Sequence, residues 1–244
     1  MKYLLIIILS TTVLSSCGNE DSNTSKQEMA AKQQTQQTDG HSHANSTDST
    51  KKTFQLGQDY QQLASVFDTE NTEQVVVYEF FSYACTHCYT FEPFMNKWLE
   101  NKPDYVKLER VHLYFNNPSW GVLQKGFLTA KSMGLVEKTH AQLFDAIHKK
   151  NIRFNTINQL ANWYAKETGV DEQEFLSTAN SFIIDSNQRQ ADKMGALMQV
   201  TSTPTLIVNG KYFASKSNHT RDGIMKILEF LIEKEALSMG LLPD

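Results

Sequence analysis

Two cysteines of the chain, Cys85 and Cys88, stand three positions apart in the segment YACTHCY, with His87 between them. A C-x-x-C pair has three chemical uses. It forms a disulfide that is exchanged with other thiols, it forms a permanent disulfide, or it supplies half of a metal site. Which use applies depends on where the fold places the two sulfurs.

The pair follows a predicted buried strand and opens a predicted helix. Residues 75–83 read VVVYEFFSY, a β-branched and aromatic run typical of a central strand. Large apolar residues then recur at helical spacing, at Phe91, Phe94, Met95, Trp98 and Leu99. Cys85 is therefore expected on the first turn of the helix, where unpaired N–H groups and the helix dipole favour a thiolate. We expect Cys85 to be the exposed, attacking sulfur, Cys88 to be the buried one, and His87 to stabilise the Cys85 thiolate.

The N-terminal segment predicts export and attachment to a membrane. Residues 1–16 have one basic residue, an apolar stretch and then small residues, which is the layout of a signal peptide. The run LSSC that ends at Cys17 resembles the lipobox of bacterial lipoproteins, whose cysteine is acylated; the alternative is an ordinary cleaved signal with an unmodified Cys17. Lipidation of Cys17 leaves Cys85 and Cys88 as the only thiols of an exported protein, in a compartment that permits a disulfide.

Residues 17–52 are polar and nearly free of large apolar side chains, so they predict a disordered tether behind the lipidated cysteine. His41 and His43 lie in this tether, and we interpret them as polar filler rather than as metal ligands.

A metal site and a structural disulfide are weaker interpretations of the cysteine pair. Zinc needs four ligands, and the sequence has neither a second C-x-x-C nor two histidines separated by three to five residues. Only isolated histidines could complete a site, at His112, His140, His148 and His219. A disulfide that closes two residues removes little entropy from the unfolded chain, so it would be a poor staple.

The rest of the chain predicts a sheet interrupted by helices. Residues 105–115 form a second buried strand, parallel to the first because a helix connects the two. The pattern is then helical for about eighty residues, with N-caps expected at Ser119, Thr156 and Asp171. Residues 205–215 return to strand character, and Asn209-Gly210 predicts a type I′ hairpin turn. An amphipathic helix over residues 221–237 closes the domain.

Several segments together resemble the DsbA family of periplasmic thiol–disulfide oxidoreductases. They are EFFSY at 79–83, CTHCY at 85–89, the helical block, TPT at 203–205 and VNGKY at 208–212. The resemblance covers about residues 70–237 and implies an α/β, thioredoxin-like fold with an inserted all-helical domain. On this basis residues 53–115 and 191–244 form the two parts of the thioredoxin-like domain, and residues 116–190 form the insertion.

The resemblance also implies roles for single residues. Cys85 corresponds to the nucleophile, Cys88 to its disulfide partner and His87 to the residue that stabilises the thiolate. Pro204 corresponds to a cis-proline beside the active site, as expected for an X-Pro bond that precedes a buried strand. Glu79 corresponds to a buried acid under the disulfide.

A carboxylate within VVVYEFF is costly to bury without a partner, and Arg110 on the neighbouring strand is our candidate. The alternative places Glu79 in solvent on an edge strand. Two positions that touch the sulfurs in the family bear on oxidising strength. Thr86 stands where the best-known relatives have proline, and Thr203, before the proline, is found in isomerases and reductases as well as in some oxidases.

The predicted reaction is donation of the Cys85–Cys88 disulfide to unfolded exported proteins with free thiols, followed by reoxidation by a quinone-linked, DsbB-like membrane oxidase. We expect a monomer with no metal and no cofactor besides the disulfide. The alternatives are a disulfide reductase or isomerase that a membrane donor keeps reduced, and a metal-binding or chaperone-like module. With 23 basic against 27 acidic residues and no long basic run, nucleic acid is not an expected partner.

Overall fold

A computed structural model of the chain describes residues 53–69, 71–215 and 219–243. The signal peptide over residues 1–16, the lipidated Cys17 and the tether with His41 and His43 lie outside these residues and stay predictions. Within the described ranges, none of the helices combines the length and the apolar character needed to cross a membrane.

The described residues form five strands and seven helices. The strands are β1 (Tyr60–Gln62), β2 (Val75–Phe81), β3 (Val106–His112), β4 (Thr205–Val208) and β5 (Tyr212–Ala214). The helices are α1 (Thr86–Leu99), α2 (Pro118–Ser132), α3 (Val136–His148), α4 (Ile157–Thr168), α5 (Glu172–Ala179), α6 (Phe182–Leu197) and α7 (Arg221–Ser238).

The strands form one mixed sheet in the order β1-β5-β4-β2-β3. β2 is internal, and all seven of its residues are buried, as its continuous apolar pattern predicts. β2 and β3 are parallel, and β4 pairs with β2 in the antiparallel sense. The helices α2 to α6 lie between β3 and β4 in sequence. The predicted α/β fold with an inserted helical block is therefore confirmed.

The alternation of side chains along β2 divides the core. Val75 and Val77 pack with residues of α1 and α7 on one face, whereas Val76 and Phe80 pack on the other face with the C-terminal part of α6. At the carboxyl end of β2, Phe81 joins an aromatic cluster with α2, α3 and α4. The active-site end of β2 thus meets the helical block.

Helix α6 connects the two parts of the structure. Its Ile184 packs in the cluster of the helical block, whereas its Ala191 packs against the sheet. The boundary predicted between residues 190 and 191 falls within this helix, so α6 contributes to both cores.

The predicted helix caps are correct in two of three cases. Thr156 caps α4 within a capping box, and Asp171 caps α5 by accepting a hydrogen bond from the Glu174 N–H. Ser119 is not the cap of α2. Asn117 is, because its Oδ1 accepts a hydrogen bond from the Ser119 N–H.

The β4–β5 hairpin turns at Asn209-Gly210, with φ values of 49° and 61° at the two residues, as the prediction of a type I′ turn requires. The Asn209 side chain accepts a hydrogen bond from the Val76 N–H at 2.8 Å and donates one to Glu235 at 3.0 Å. The turn is thereby held to β2 and α7.

We expect Gly210→Ala to destabilise the protein by about 3 kcal/mol or more, as measured by urea unfolding. Gly210 has a positive φ, which is strained for a residue that has a Cβ. The added Cβ would also collide with the carbonyl oxygen of Phe67. Gly134→Ala is the matched control, because Gly134 also has a positive φ but has open space around its Cα, so its loss should be about 1 kcal/mol. Equal losses of unfolding free energy in Gly210→Ala and Gly134→Ala would contradict the close packing assigned to Gly210.

Candidate active site

The Cys85 sulfur caps the active-site helix. Cys85 has extended backbone angles just before α1, and its Sγ accepts a hydrogen bond from the Cys88 N–H at 3.3 Å. This is the position in which serine or aspartate usually satisfies the free N–H groups of a helix. The predicted strand-to-helix junction is confirmed, with Cys85 one residue before the first turn rather than within it.

The two free thiols have opposite acidities. The Cys88 S–H, the Thr203 hydroxyl and the N–H groups of Cys88 and His87 donate to the Cys85 sulfur and, against burial, lower its pKa from 9.0 to about 5. Burial and the adjacent Cys85 raise the pKa of Cys88 far above that of a free thiol. At pH 7, Cys85 is therefore mostly ionised, and Cys88 remains a thiol.

The expected exposure of Cys85 is only partly correct. Cys85 is more accessible than Cys88, but the exposed fractions of the two residues are 9% and 3%. Cys85 is largely covered because its Sγ lies 3.5 Å from the Thr203 carbonyl oxygen, in the loop before β4. Thr86 and His87 are exposed, and His87 favours the thiolate through its backbone N–H.

The Thr203-Pro204 peptide bond is cis, as predicted. The loop lies beside the cysteines because β4 runs antiparallel to β2, with Thr205 paired to Phe80 near the carboxyl end of β2. The strand that leads into the active-site helix therefore ends next to the strand that follows Pro204. Sheet topology brings together residues that are more than one hundred positions apart.

Glu79 is buried on the central strand, so the alternative of a solvent-facing residue on an edge strand is wrong. Glu79 is 2% exposed, and β2–β3 register places it directly opposite Arg110. The Arg110 Nε donates to the Glu79 Oε2 at 2.9 Å, which confirms Arg110 as its partner. Burial raises the pKa of Glu79 even though Arg110 opposes this shift.

Glu92 extends this pair, although the sequence did not predict it as a site residue. Its Oε1 lies 3.6 Å from the Arg110 Nη2, and the residue is buried. The sequence feature that could have identified Glu92 is its position four residues after Cys88, within the apolar face of α1. A carboxylate at such a position is as unusual as Glu79 in its strand.

Two histidines hold the backbone of Tyr83, which lies between β2 and Cys85. The Tyr83 N–H donates to the His112 Nε2 at 3.0 Å, and the Tyr83 carbonyl accepts from the His148 Nε2 at 2.7 Å. Burial lowers the pKa of His112 to about 3, so His112 is neutral and able to accept. His148 also stacks on Tyr89, with ring centroids 4.8 Å apart. His112 and His148, which the sequence offered as possible metal ligands, therefore bind the backbone of Tyr83 instead.

His219 lies elsewhere, 3.2 Å from the Asp59 carboxylate. Across the part of the chain that the structure describes, no group of three or more His, Cys, Asp or Glu side chains is placed to hold a metal ion.

We expect Thr203→Val to raise the pKa of Cys85 by about one unit, because the substitution removes a hydroxyl that favours the thiolate and keeps the side-chain shape. The ultraviolet absorbance of the thiolate, recorded against pH, measures this pKa. Thr201→Val, at an exposed position two residues away, is the control and should leave the pKa at about 5. An unchanged pKa in Thr203→Val would contradict the assigned role of the hydroxyl.

Comparisons with known proteins agree with this geometry. A family model described as Thioredoxin matches residues 69–229. The thiol:disulfide interchange protein DsbA of Pseudomonas aeruginosa is 38% identical over 183 residues, which cover 75% of this chain and 86% of the relative. DsbA of Azotobacter vinelandii is 33% identical over 183 residues, covering 75% of this chain and 85% of that protein.

The crystal structure of Pseudomonas aeruginosa DsbA has the same fold, with a TM-score of 0.70 and 36% sequence identity over 76% of this chain and 96% of that one. The matched family region contains the helix-capping Cys85, the buried Cys88 and the cis-proline loop. The chain therefore belongs to the DsbA family of thioredoxin-like thiol:disulfide interchange proteins and is a protein dithiol–disulfide oxidoreductase.

Proposed function

We propose that this protein oxidises exported proteins by donating its Cys85–Cys88 disulfide to their free thiols during oxidative folding. The observation that carries the proposal is the thiolate of Cys85 at the start of α1, whose pKa is about 5. Reduction of the disulfide creates this charge where backbone N–H groups already point, and it also creates the Cys88 S–H that donates to the charge. The fold therefore stabilises the reduced form, and such stabilisation makes the disulfide a strong oxidant.

The exchange consists of two displacements. A substrate thiolate attacks the Cys85 sulfur, the Cys85–Cys88 bond breaks, and Cys88 leaves as a thiolate that takes up a proton because its pKa is high. The substrate is then bonded to Cys85. A second substrate thiolate attacks the substrate sulfur of this mixed disulfide, and Cys85 leaves as a stable thiolate. Two electrons have passed from the substrate dithiol to the protein disulfide.

We expect Cys88→Ala to accumulate mixed disulfides between Cys85 and client proteins in cells. In this variant the Cys85 thiolate attacks a client disulfide, whose second sulfur leaves as a thiolate, and the neighbouring thiol that would otherwise attack the mixed disulfide and release the client is absent. Adducts are detected on non-reducing gels and disappear on reduction. Cys85→Ala is the control and should form none. An absence of adducts in Cys88→Ala would favour a metal-binding or chaperone-like module instead.

The redox state of wild-type protein in cells decides the direction of exchange. Rapid acid quenching followed by alkylation of free thiols should show the Cys85–Cys88 pair mostly oxidised. A mostly reduced pair would contradict the proposal and indicate a reductase or isomerase that a membrane donor keeps reduced.

Each turnover leaves the protein reduced, so the function requires an oxidant. A quinone-linked, DsbB-like membrane oxidase supplies this step in our proposal, and the protein acts as a monomer without a metal or added cofactor. Membership of the DsbA family supports such a partner.

We further propose that the protein works in the periplasm, attached to a membrane by a lipid on Cys17. The apolar segment that ends in LSSC supports this attachment, and the polar residues 17–52 would let the domain reach clients near the surface. About thirty-five residues of coil span roughly 30 Å on average.

We expect Cys17→Ser to move the protein from the membrane fraction to the soluble fraction and to abolish its labelling by a radioactive fatty acid. Ser15→Ala is the control, because it keeps a small residue before the cysteine and should leave both properties unchanged. Fatty-acid labelling that persists in Cys17→Ser, or that is missing from the wild-type protein, would contradict lipid attachment at this residue.

A further inference from the structure

The Glu79–Arg110–Glu92 group continues into the helical block through His140 on α3. The His140 Nε2 lies 3.4 Å from the Glu92 Oε1. Both atoms are buried, and neither makes a well-aligned hydrogen bond to another group. Since buried polar atoms are normally paired, the Nε2 and the Oε1 are left to interact with each other. On the other side of the ring, the His140 Nδ1 lies 2.8 Å from the Tyr83 hydroxyl. We call these five residues the buried polar cluster.

Tyr83 determines which nitrogen of His140 carries the proton. Burial raises the pKa of Tyr83, so its phenol keeps its single proton. The partner of this hydroxyl is the His140 Nδ1, which can accept the phenol proton when the imidazole proton is on Nε2. In that tautomer an N–H group points at Glu92. The opposite tautomer would place a nitrogen lone pair against the carboxylate and leave the Tyr83 proton without an acceptor.

The two carboxyl groups of the cluster share one guanidinium, and burial of an uncompensated charge is costly. Glu92 faces two donors, the Arg110 guanidinium and the His140 N–H, whereas Glu79 has Arg110 alone among the members of the cluster.

The pKa of Glu92 is lowered and the pKa of Glu79 is raised, as the larger number of donors around Glu92 requires. Burial acts to raise the pKa of Glu92, but His140 and Arg110 together lower it. Burial raises the pKa of Glu79. Two more titratable groups border the cluster, His112 and Tyr164. Burial lowers the pKa of His112 to about 3 and raises that of Tyr164, so both are neutral at pH 7.

We propose that Tyr83 and His140 are positioning residues that hold Glu92 in its ionised form, so that the charge of Glu92 beneath the Cys85–Cys88 pair stays constant through neutral pH. Glu92 lies one turn after Cys88 on the buried face of α1, so a change in its charge would be close to the reacting disulfide. This inference rests on the proposed exchange at Cys85 and Cys88. It gives the helical block a direct role in the chemistry, because α3 supplies His140.

The test is a titration of the carboxyl groups by carbon-13 NMR on the full chain, reduced and labelled at glutamate side chains. The signals are assigned with Glu79→Gln and Glu92→Gln. In wild type, Glu92 should titrate at lower pH than Glu79. His140→Leu removes the N–H donor and should raise the proton affinity of Glu92 at least tenfold. An unchanged Glu92 titration in His140→Leu would overturn the proposal.

Two further variants separate hydrogen bonding from packing. His140→Gln keeps one donor and one acceptor, so it should restore the wild-type titration of Glu92. A failure of this rescue in a folded protein would overturn the role of His140 as a hydrogen-bond donor. Phe144→Leu, one turn along α3 and in contact with the rings of Tyr83 and His140, loses packing only. It should lower stability and leave the Glu92 titration unchanged, and a shift there would also overturn the proposal.

Tyr83→Phe tests the choice of tautomer. Without the phenol, the proton of His140 is no longer directed to Nε2, and the proton affinity of Glu92 should rise in the same direction as in His140→Leu. No rise would overturn the role of Tyr83.

The pH profile of exchange between the reduced protein and a disulfide-bonded peptide, in which the Cys85 thiolate attacks, gives the functional readout. Wild type should show the ionisation of Cys85 near pH 5, whereas His140→Leu should add a further inflection from Glu92. An unaltered profile in His140→Leu would overturn the link to the chemistry. Failure of oxidised wild-type protein to oxidise a dithiol peptide at any pH would instead contradict the proposed function, while the carboxyl titrations would still test the cluster.

Discussion

A helix that begins with a sulfur acceptor is the constraint on which the active site depends. The first N–H groups of α1 have no partner within the helix, and the Cys85 Sγ accepts one of them. A thiolate accepts such hydrogen bonds more strongly than a neutral sulfur, so the start of α1 is best satisfied when the protein is reduced. The same contact that orders the helix thus favours loss of the disulfide, and structural order and oxidising power have one origin.

The rest of the fold positions and shields that sulfur. β2 delivers the chain to the start of α1, and the antiparallel entry of β4 brings Thr203 to within 3.5 Å of the Cys85 Sγ. Two imidazoles hold the backbone of Tyr83 from opposite sides, one from the end of β3 and one from the end of α3. The turn before Cys85 is therefore fixed by the sheet and by the helical block together.

Between the apolar cluster under α1 and α7 and the aromatic cluster of the helical block lies a layer of buried charge. Buried ion pairs contribute little net stability, because desolvation offsets their attraction, whereas removal of one partner is costly. The Glu79–Arg110–Glu92 group is therefore better explained by control of charge near the disulfide than by stabilisation of the fold. His140, at 3.4 Å from Glu92, places the helical block in contact with this layer.

Local patterns in the sequence predicted much of this protein. The strand over residues 75–83, the helix after Cys85, the Asn209-Gly210 turn and the caps at Thr156 and Asp171 depend on neighbours within a few residues, so periodicity and turn chemistry reveal them. The burial of Cys85 and the contacts of Glu92, His140 and Tyr83 depend on how strands align and how helices dock over separations of up to 118 residues. Side chains that far apart meet only when the register and packing of whole elements are set. The sequence alone therefore identified the reactive cysteines, and only the tertiary structure determined their environment.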